Sequence, residues 1–123
     1  MATNITTAER KNLSQPEETR PFSKGRLEVV NIAGVTMARA TFEPGWKWSE
    51  CVKPIAKTDS CQAAHVGYMI SGKMDVVMDD GQRLTFESGD AMSIPPGHDA
   101  WIVGDEPCVL IDIGAIGNYA KPT

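Results

Sequence analysis

Short runs in which apolar and polar positions alternate recur along the chain from Arg26 onward. In KMDVVM, for example, Met74, Val76 and Met78 stand at every second position, which is the side-chain period of a strand. Turn residues interrupt these runs about every eight to twelve positions, and no stretch carries a convincing helical period. The pattern predicts an all-β domain. Its strands are expected in RLEVVNI, VTMARATF, AHVGYMI, KMDVVM, RLTF, AMSI, AWIV and PCVLIDI.

Turn chemistry indicates where the predicted strands reverse. Asp80-Gly81 suits a type I′ hairpin, because this turn requires positive φ at both central positions. Pro95 and Pro96 lack the N–H that a ladder needs, so they are expected at a strand start or a corner. Many short strands joined by tight turns predict a sandwich or barrel of the jelly-roll type.

One shift in composition divides the chain, near Gly25. Residues 1–24 are polar and lack an apolar period, so they are predicted to be a partly ordered arm. Packing of Phe22 and its neighbours on a partner subunit is the alternative to disorder. Residues 25–116 are predicted to form one barrel domain, and residues 117–123 a C-terminal tail. With 123 residues, the chain can bury a core without the help of disulfides.

Composition and charge narrow the class of partner. A net charge of −4 and a pI near 5.1 argue against nucleic acid or an anionic membrane as partner. Three cysteines are an odd count that fits poorly with a disulfide framework. No apolar run reaches the length of a membrane span, and the first twenty residues are not of the signal-peptide type. We therefore expect a cytoplasmic protein.

The glycine and proline framework resembles the two motifs of the cupin family of small double-sheet barrels. The second motif reads G-x5-P-x-G-x2-H-x3-N, and Gly89 followed by Pro95, Pro96 and Gly97 matches its first half without a gap. The resemblance covers about residues 35–113. It implies a single-domain, cupin-like double-stranded β-helix, that is, a jelly-roll barrel. It also implies a homodimer joined through N-terminal strands, which gives RLEVVNI a role.

The first motif reads G-x5-H-x-H, then three or four residues, then E-x6-G. Five residues separate Gly45 from Cys51, and His65 stands seven positions before Gly72. At these positions the ligands differ from the family pattern. Cys51 and Lys53 take the places of the two histidines, and eleven residues, instead of three or four, separate Lys53 from His65. The resemblance places His65 where the family has its glutamate.

The second motif also departs from the family at its ligand position, which falls on Ala100, and at its asparagine position, which falls on Gly104. His98 lies two residues before Ala100, so the two side chains share one face if the strand has begun. The resemblance together with this parity predicts that Cys51, His65 and His98 converge on a metal. A thiolate and two imidazoles favour Zn²⁺, with Ni, Cu or Fe as alternatives.

Each candidate ligand has an ordinary structural alternative. His65 could be a hydrogen-bonded core histidine, His98 a turn residue paired with Asp99, and Cys51 a small buried thiol. Cys61 lies four residues before His65 and could return as a fourth ligand. Glu50 is the alternative metal ligand to Cys51 if the strand register differs by one residue.

A substrate pocket is predicted from four residues around the expected metal: Lys53, Trp48, Met69 and Ala100. Lys53 either faces an anionic substrate group or is a solvated lysine at the barrel rim. Trp46 and Trp48 are either core aromatics or part of the cavity wall.

Two functions of different class remain open from the sequence. One is a metalloenzyme that acts on a small polar or carboxylate substrate in the barrel cavity. The other is a non-catalytic cupin module that binds a small molecule or a structural metal. A barrel that has lost its metal is a third possibility, and the sequence assigns no catalytic residue.

Overall fold

The structure, a computed structural model, describes residues 5–113 of the chain. Within this range the chain forms nine strands and two four-residue helices around one hydrophobic core. In chain order these elements are β1 (Glu18–Phe22), β2 (Gly25–Ile32), β3 (Val35–Phe42), α1 (Trp48–Cys51), α2 (Lys53–Ala56), β4 (His65–Ser71), β5 (Lys73–Met78), β6 (Arg83–Glu87), β7 (Ala91–Ile94), β8 (His98–Ile102) and β9 (Cys108–Ile113).

The strands form two antiparallel sheets. The larger sheet has the order β1-β2-β3-β9-β4-β7, and the smaller has the order β6-β5-β8. Buried residues of both sheets belong to a single core cluster. The predicted all-β, single-domain jelly-roll fold is confirmed.

Alternation along three strands decides which side chains enter the core. In β4, Gly67 and Met69 are buried, whereas Val66, Tyr68 and Ile70 are exposed. His65 shares the buried parity of β4. The inward residues of β8 are His98, Ala100 and Ile102, and those of β9 are Cys108, Leu110 and Asp112. The expected common face of positions 98 and 100 is therefore observed.

The hairpin prediction at Asp80-Gly81 was wrong in its turn type. Only Gly81 of this pair has positive φ, at 94°, and its N–H donates to the Met78 carbonyl at 2.8 Å. A type I′ turn needs two left-handed residues. That requirement is met instead between β2 and β3, where Ala33 and Gly34 have φ of 51° and 74°.

The ends of the chain bear on the predicted boundaries. Strand β1 lies within the segment 1–24 that was expected to be a partly ordered arm, and it pairs with β2 from Glu18↔Val29 to Phe22↔Gly25. The predicted tail 117–123 and the last three residues of the predicted barrel lie outside the described residues. No helix among the described residues is long and apolar enough to cross a membrane.

Helices α1 and α2 occupy the stretch in which the family motif led us to expect a ligand-bearing strand. Each helix has four residues, too few to show a helical period in the sequence. Pro54 stands in the first turn of α2, where its missing N–H costs nothing. Lys57 ends that helix in the left-handed conformation. Strand parity therefore does not govern residues 48–56.

Candidate metal centre and cavity

Three buried side chains with metal-binding atoms converge inside the barrel: Cys61, His65 and His98. Their ligand atoms all lie within 4.8 Å of one another. The Sγ of Cys61 is 3.8 Å from Nε2 of His65. The two imidazole rings meet edge to face, with centroids 5.3 Å apart. His65 begins β4 and His98 begins β8, so one ligand candidate comes from each sheet.

The backbone ties Cys61 to the proline corner. The Cys61 N–H donates to the His98 carbonyl at 2.7 Å, and the Gly97 N–H donates to the Cys61 carbonyl at 2.7 Å. Gly97 has φ of +92°, which other residues rarely adopt, and an added Cβ would lie 2.9 Å from Oδ2 of Asp79. The corner thus fixes the position of both Cys61 and His98.

Hydrogen bonds to Nδ1 orient both imidazoles. Nδ1 of His98 lies 2.8 Å from the Pro95 carbonyl oxygen. Nδ1 of His65 lies 2.6 Å from Oδ2 of Asp112. A carbonyl or ionised carboxylate oxygen can only accept, so we assign the proton to Nδ1 in each ring and leave Nε2 available for a metal. Metal-binding histidines in proteins generally carry such a partner on the second nitrogen.

The electrostatics of the cluster favour charge separation between thiol and imidazole. Burial opposes ionisation of Cys61, but hydrogen bonds and positive charge from His65 and His98 outweigh it and lower the thiol pKa to about 7. Burial also opposes the charged form of His65. The hydrogen bonds to Asp112 and Cys61, with their negative charges, outweigh it and raise the pKa of His65 to about 9.

The donor set fits a tetrahedral transition-metal ion. Zinc bonds of about 2.3 Å to sulfur and about 2.0 Å to nitrogen separate the two ligand atoms by about 3.5 Å at the tetrahedral angle. The observed separation of Cys61 Sγ and His65 Nε2 is 3.8 Å. Three protein donors leave one tetrahedral position for a water or a substrate oxygen.

Cys51, the third ligand in the sequence-based set, lies outside this cluster. It is buried, 7% exposed, in helix α1, and the group of convergent donors contains Cys61 instead. Glu50 lies on the same helix and is exposed. In the sequence analysis Cys61 is only an alternative fourth ligand, which the long insertion that contains it could bring back to the site.

Asp112 was missed by the sequence analysis. A signal for it exists in PCVLIDI, where Cys108, Leu110 and Asp112 share one parity, so an acidic residue stands at an inward position. Asp112 is 4% exposed, and its contact with His65 spans 47 residues of sequence. Burial of a carboxylate requires a partner of this kind.

Two members of the cluster, His65 and His98, line a cavity between the sheets that has a volume of about 30 Å³. Of the predicted pocket residues, Trp48 and Ala100 line this cavity. Met69 is fully buried and Lys53 half-buried, and neither lines it. The remaining lining is largely apolar: Leu27, Ala40, Phe42, Trp46, Met74, Met92, Ile94 and Leu110, together with His65, His98 and Asp112.

Comparison with known proteins supports the fold. The family model described as a cupin domain matches residues 51–114. No curated protein matches the sequence. Similar solved structures include the polyketide cyclase RemF from Streptomyces resistomycificus, at 14% identity and a TM-score of 0.61, covering 89% of this chain and 80% of that one.

Two further structures are similar. An RmlC-like cupin from Shewanella frigidimarina has 17% identity and a TM-score of 0.60, with coverage of 88% of this chain and 91% of that one. Oxalate decarboxylase from Bacillus subtilis has 24% identity and a TM-score of 0.54, with coverage of 80% of this chain but only 27% of that one. At these identities the likeness shows the fold alone.

Proposed function

The chain belongs to the cupin family, and we propose that it is a metal-binding member that acts on a small polar molecule in its barrel cavity. The observation that carries this proposal is the convergence of Cys61, His65 and His98 within 4.8 Å, with both imidazoles oriented through Nδ1. Cys61 takes the place that the sequence analysis had given to Cys51. Family membership adds support, because cupins are built around such a cavity.

Zn²⁺ is the metal we propose, with Ni, Cu or Fe as alternatives. One soft thiolate and two imidazoles suit late first-row ions better than Mg²⁺ or Ca²⁺. When bound, the metal would supply a Lewis acid that polarises a substrate oxygen or activates a water.

The chain's own residues have separate tasks around this centre. Asp112 holds His65 with its Nε2 directed away from the carboxylate, and the Pro95 carbonyl does the same for His98. Apolar walls from Leu27, Phe42 and Leu110 limit water in the cavity. His65 must give up a proton from Nε2 before it can bind a metal, because its pKa is raised to about 9.

The number of ligands favours catalysis over a purely structural metal. Structural zinc sites have four protein ligands, whereas the cluster among residues 5–113 has three. Two of the similar structures, polyketide cyclase and oxalate decarboxylase, are named as enzymes. A non-catalytic module is the second candidate function. A cobalt-substituted protein whose spectrum shows four protein ligands and no response to added small molecules would favour it.

Metal analysis of protein purified without chelator tests the proposal. We expect about one metal ion per chain. Cys61→Ala and His65→Ala should each weaken binding by more than the roughly 10- to 100-fold that loss of an outer partner causes. Cys51→Ala removes another buried thiol and serves as the matched control. Equal metal content in the parent and all three variants would refute the site.

We also propose a homodimer and a cytoplasmic location. Val66, Tyr68 and Ile70 place three large apolar side chains on the exposed face of β4, with exposures of 55%, 50% and 44%. Such a patch favours association with a partner surface. All three cysteines of the sequence are free and buried, as expected in a reducing compartment. Light scattering that shows a monomer at micromolar concentration would remove the dimer.

A further inference from the structure

A second groove opens between the edges of the two sheets. Among residues 5–113, β6 is an edge strand of the smaller sheet and β7 an edge strand of the larger one. The groove has a volume of about 220 Å³, against about 30 Å³ for the cavity lined by His65 and His98. Its apolar walls come from both sheets: Val76, Met78, Leu84, Phe86, Ile94 and Pro95. A concave, mostly apolar space of this kind is typical of small-molecule sites.

Leu84 has the inward parity of β6 but is only partly covered. It shares that parity with Phe86, which is 8% exposed, and it stands opposite the buried Val76 of β5. Leu84 itself is 53% exposed. Because the facing sheets of a sandwich pack about 10 Å apart with side chains between them, the space over Leu84 is one that an apolar group would ordinarily fill. An apolar group that entered the groove would therefore bury this leucine.

The position of this space favours a small molecule over a protein segment. The groove lies between the two sheets, and a spacing of about 10 Å accommodates a layer of side chains but not an added strand or helix. A volume of about 220 Å³ corresponds to roughly seven water molecules at about 30 Å³ each. Since a methylene group is similar in size to a water molecule, the groove has room for a chain of about six or seven carbon and oxygen atoms.

The charged residues at the rim of the groove favour an uncharged ligand. Arg83 and Asp80 line the groove and carry opposite charges. The Arg83 guanidinium lies over the Trp101 ring, 5.1 Å from its centroid, and the Asp80 carboxylate accepts from the Gln82 N–H at 3.0 Å. Each charge thus has a partner within the chain. A charged head group would have to compete with one of these contacts, whereas a neutral polar head would not.

From these observations we infer that the groove is a second ligand site, which takes a small uncharged amphiphile with an apolar chain of about six carbons. The chain lies between Leu84 and Ile94, and the polar head remains at the rim. Ile94 and Met78 stand opposite His65 and His98 on neighbouring strands, so the site adjoins the proposed metal centre without sharing its ligands. The ligand binds whether or not a metal is present.

Nuclear magnetic resonance of the methionine methyl groups tests the inference on chelator-treated protein, with 1-butanol, 1-pentanol and 1-hexanol as probes. Met78 lines the groove and Met37 does not, and the variants Met78→Leu and Met37→Leu assign their signals. The alcohols should shift the Met78 signal saturably, with dissociation constants in the millimolar range expected for such small ligands, and leave the Met37 signal in place. Each added methylene should tighten binding by about two- to fourfold. Hexanoate, which is similar in length but charged, should bind more weakly than 1-hexanol.

Two similarly exposed residues provide matched variants. Leu84 is 53% exposed in the groove, and Val66 is 55% exposed on the outer face of β4. Because both side chains are already exposed, serine at either position should leave the fold intact. Leu84→Ser should weaken 1-hexanol binding by roughly threefold or more, and Val66→Ser should not change it. Equal weakening in both variants, tighter binding of hexanoate, or no movement of the Met78 signal at the solubility limit of 1-hexanol would overturn the inference.

A second copy of the chain is the other occupant that the experiment must recognise. Spectra at several protein concentrations, with light scattering of the same samples, make this distinction. A Met78 signal that moves as a dimer forms, and that 1-hexanol does not return, would show that a second copy fills the groove and would overturn the inference. A Met78 signal that depends on 1-hexanol but not on protein concentration would support the small-molecule site. Because these samples contain no metal, neither result depends on the proposed function.

Discussion

His98 and His65 enter one centre, yet different kinds of partner orient them. His98 contacts the Pro95 carbonyl, three residues away and uncharged, within a corner that Gly97 makes possible. His65 contacts the Asp112 carboxylate, 47 residues away in sequence and buried. Local chain geometry therefore holds one ring, and a charged contact between strands β4 and β9 holds the other. The carboxylate of Asp112 helps to raise the pKa of His65 to about 9.

The raised pKa of His65 and the lowered pKa of Cys61 predict how metal affinity depends on pH. Between pH 7 and 9 Cys61 is ionised and His65 is charged, so binding releases one proton and affinity should rise about tenfold per pH unit. Over these two units the gain is about 100-fold. Affinity should level off above pH 9 and fall more steeply below pH 7, where two protons must leave. Competition with a chelator across this range measures it, and a flat profile would contradict it.

Substitution of Asp112 changes the hydrogen-bond partner of His65 but not that of His98, so it tests the difference between the two histidines. Asp112→Asn keeps an acceptor for Nδ1 of His65 but removes its charge, so we expect metal affinity above pH 9 to fall roughly 10- to 100-fold. The pKa of His65 should also fall, which flattens the rise in affinity between pH 7 and 9. The control is Asp99→Asn. Asp99 neighbours His98 in sequence, but its carboxylate accepts from the Ser49 and Ala100 N–H groups. An equal loss in both variants would show a general effect of charge.

The corner that holds His98 is tested by comparing two glycines with similar φ. Gly97 (+92°) would place a Cβ 2.9 Å from Asp79, whereas Gly104 (+89°) has nothing within 4 Å of an added Cβ. The two alanine substitutions therefore impose similar backbone strain, but only Gly97→Ala brings a Cβ close to Asp79. Gly97→Ala should be less stable than wild type by about 1–3 kcal/mol, and Gly104→Ala by less. Urea denaturation measures both, and equal losses would show that the corner contributes nothing beyond φ.

The predictability of the site follows the same division between local and distant contacts. The corner and the inward face of His98 could be predicted, because proline, glycine and strand parity act within a few residues. Eight of the nine strands were predictable for the same reason, whereas β1 lies in the segment that was expected to be an arm. Cys61 could not be placed, since residues 48–56 form two short helices and no period extends across them. Asp112 was predictable as an inward residue, but its pairing with His65 depends on how β9 lies beside β4.

The smallest expected effect concerns the stability of the metal-free protein. The raised pKa of His65 stabilises the fold below pH 6.5, and this contribution is lost as the pH rises through about 9. The lowered pKa of Cys61 acts in the opposite sense: its contribution is present above pH 9 and is lost as the pH falls through about 7. Between pH 7 and 9, Cys61 and His65 together bind one titrating proton in both states. It is on His65 in the folded chain and on Cys61 in the unfolded chain. The free energy of unfolding should therefore change little with pH on account of this pair.

Cys61→Ala removes the thiol, and with it the contribution that opposes that of His65, but it leaves the His65–Asp112 contact. Its free energy of unfolding should fall on the order of 1 kcal/mol between pH 6.5 and 9, because the folded chain now holds the additional proton. Cys51→Ala, which truncates a buried thiol outside the cluster, should follow the wild-type pH profile at lower overall stability. Urea denaturation of chelator-treated protein at several pH values distinguishes the two variants. Parallel profiles for Cys61→Ala and Cys51→Ala would mean that Cys61 and His65 do not share a proton, and the contrast between the two histidines would then rest on Asp112 alone.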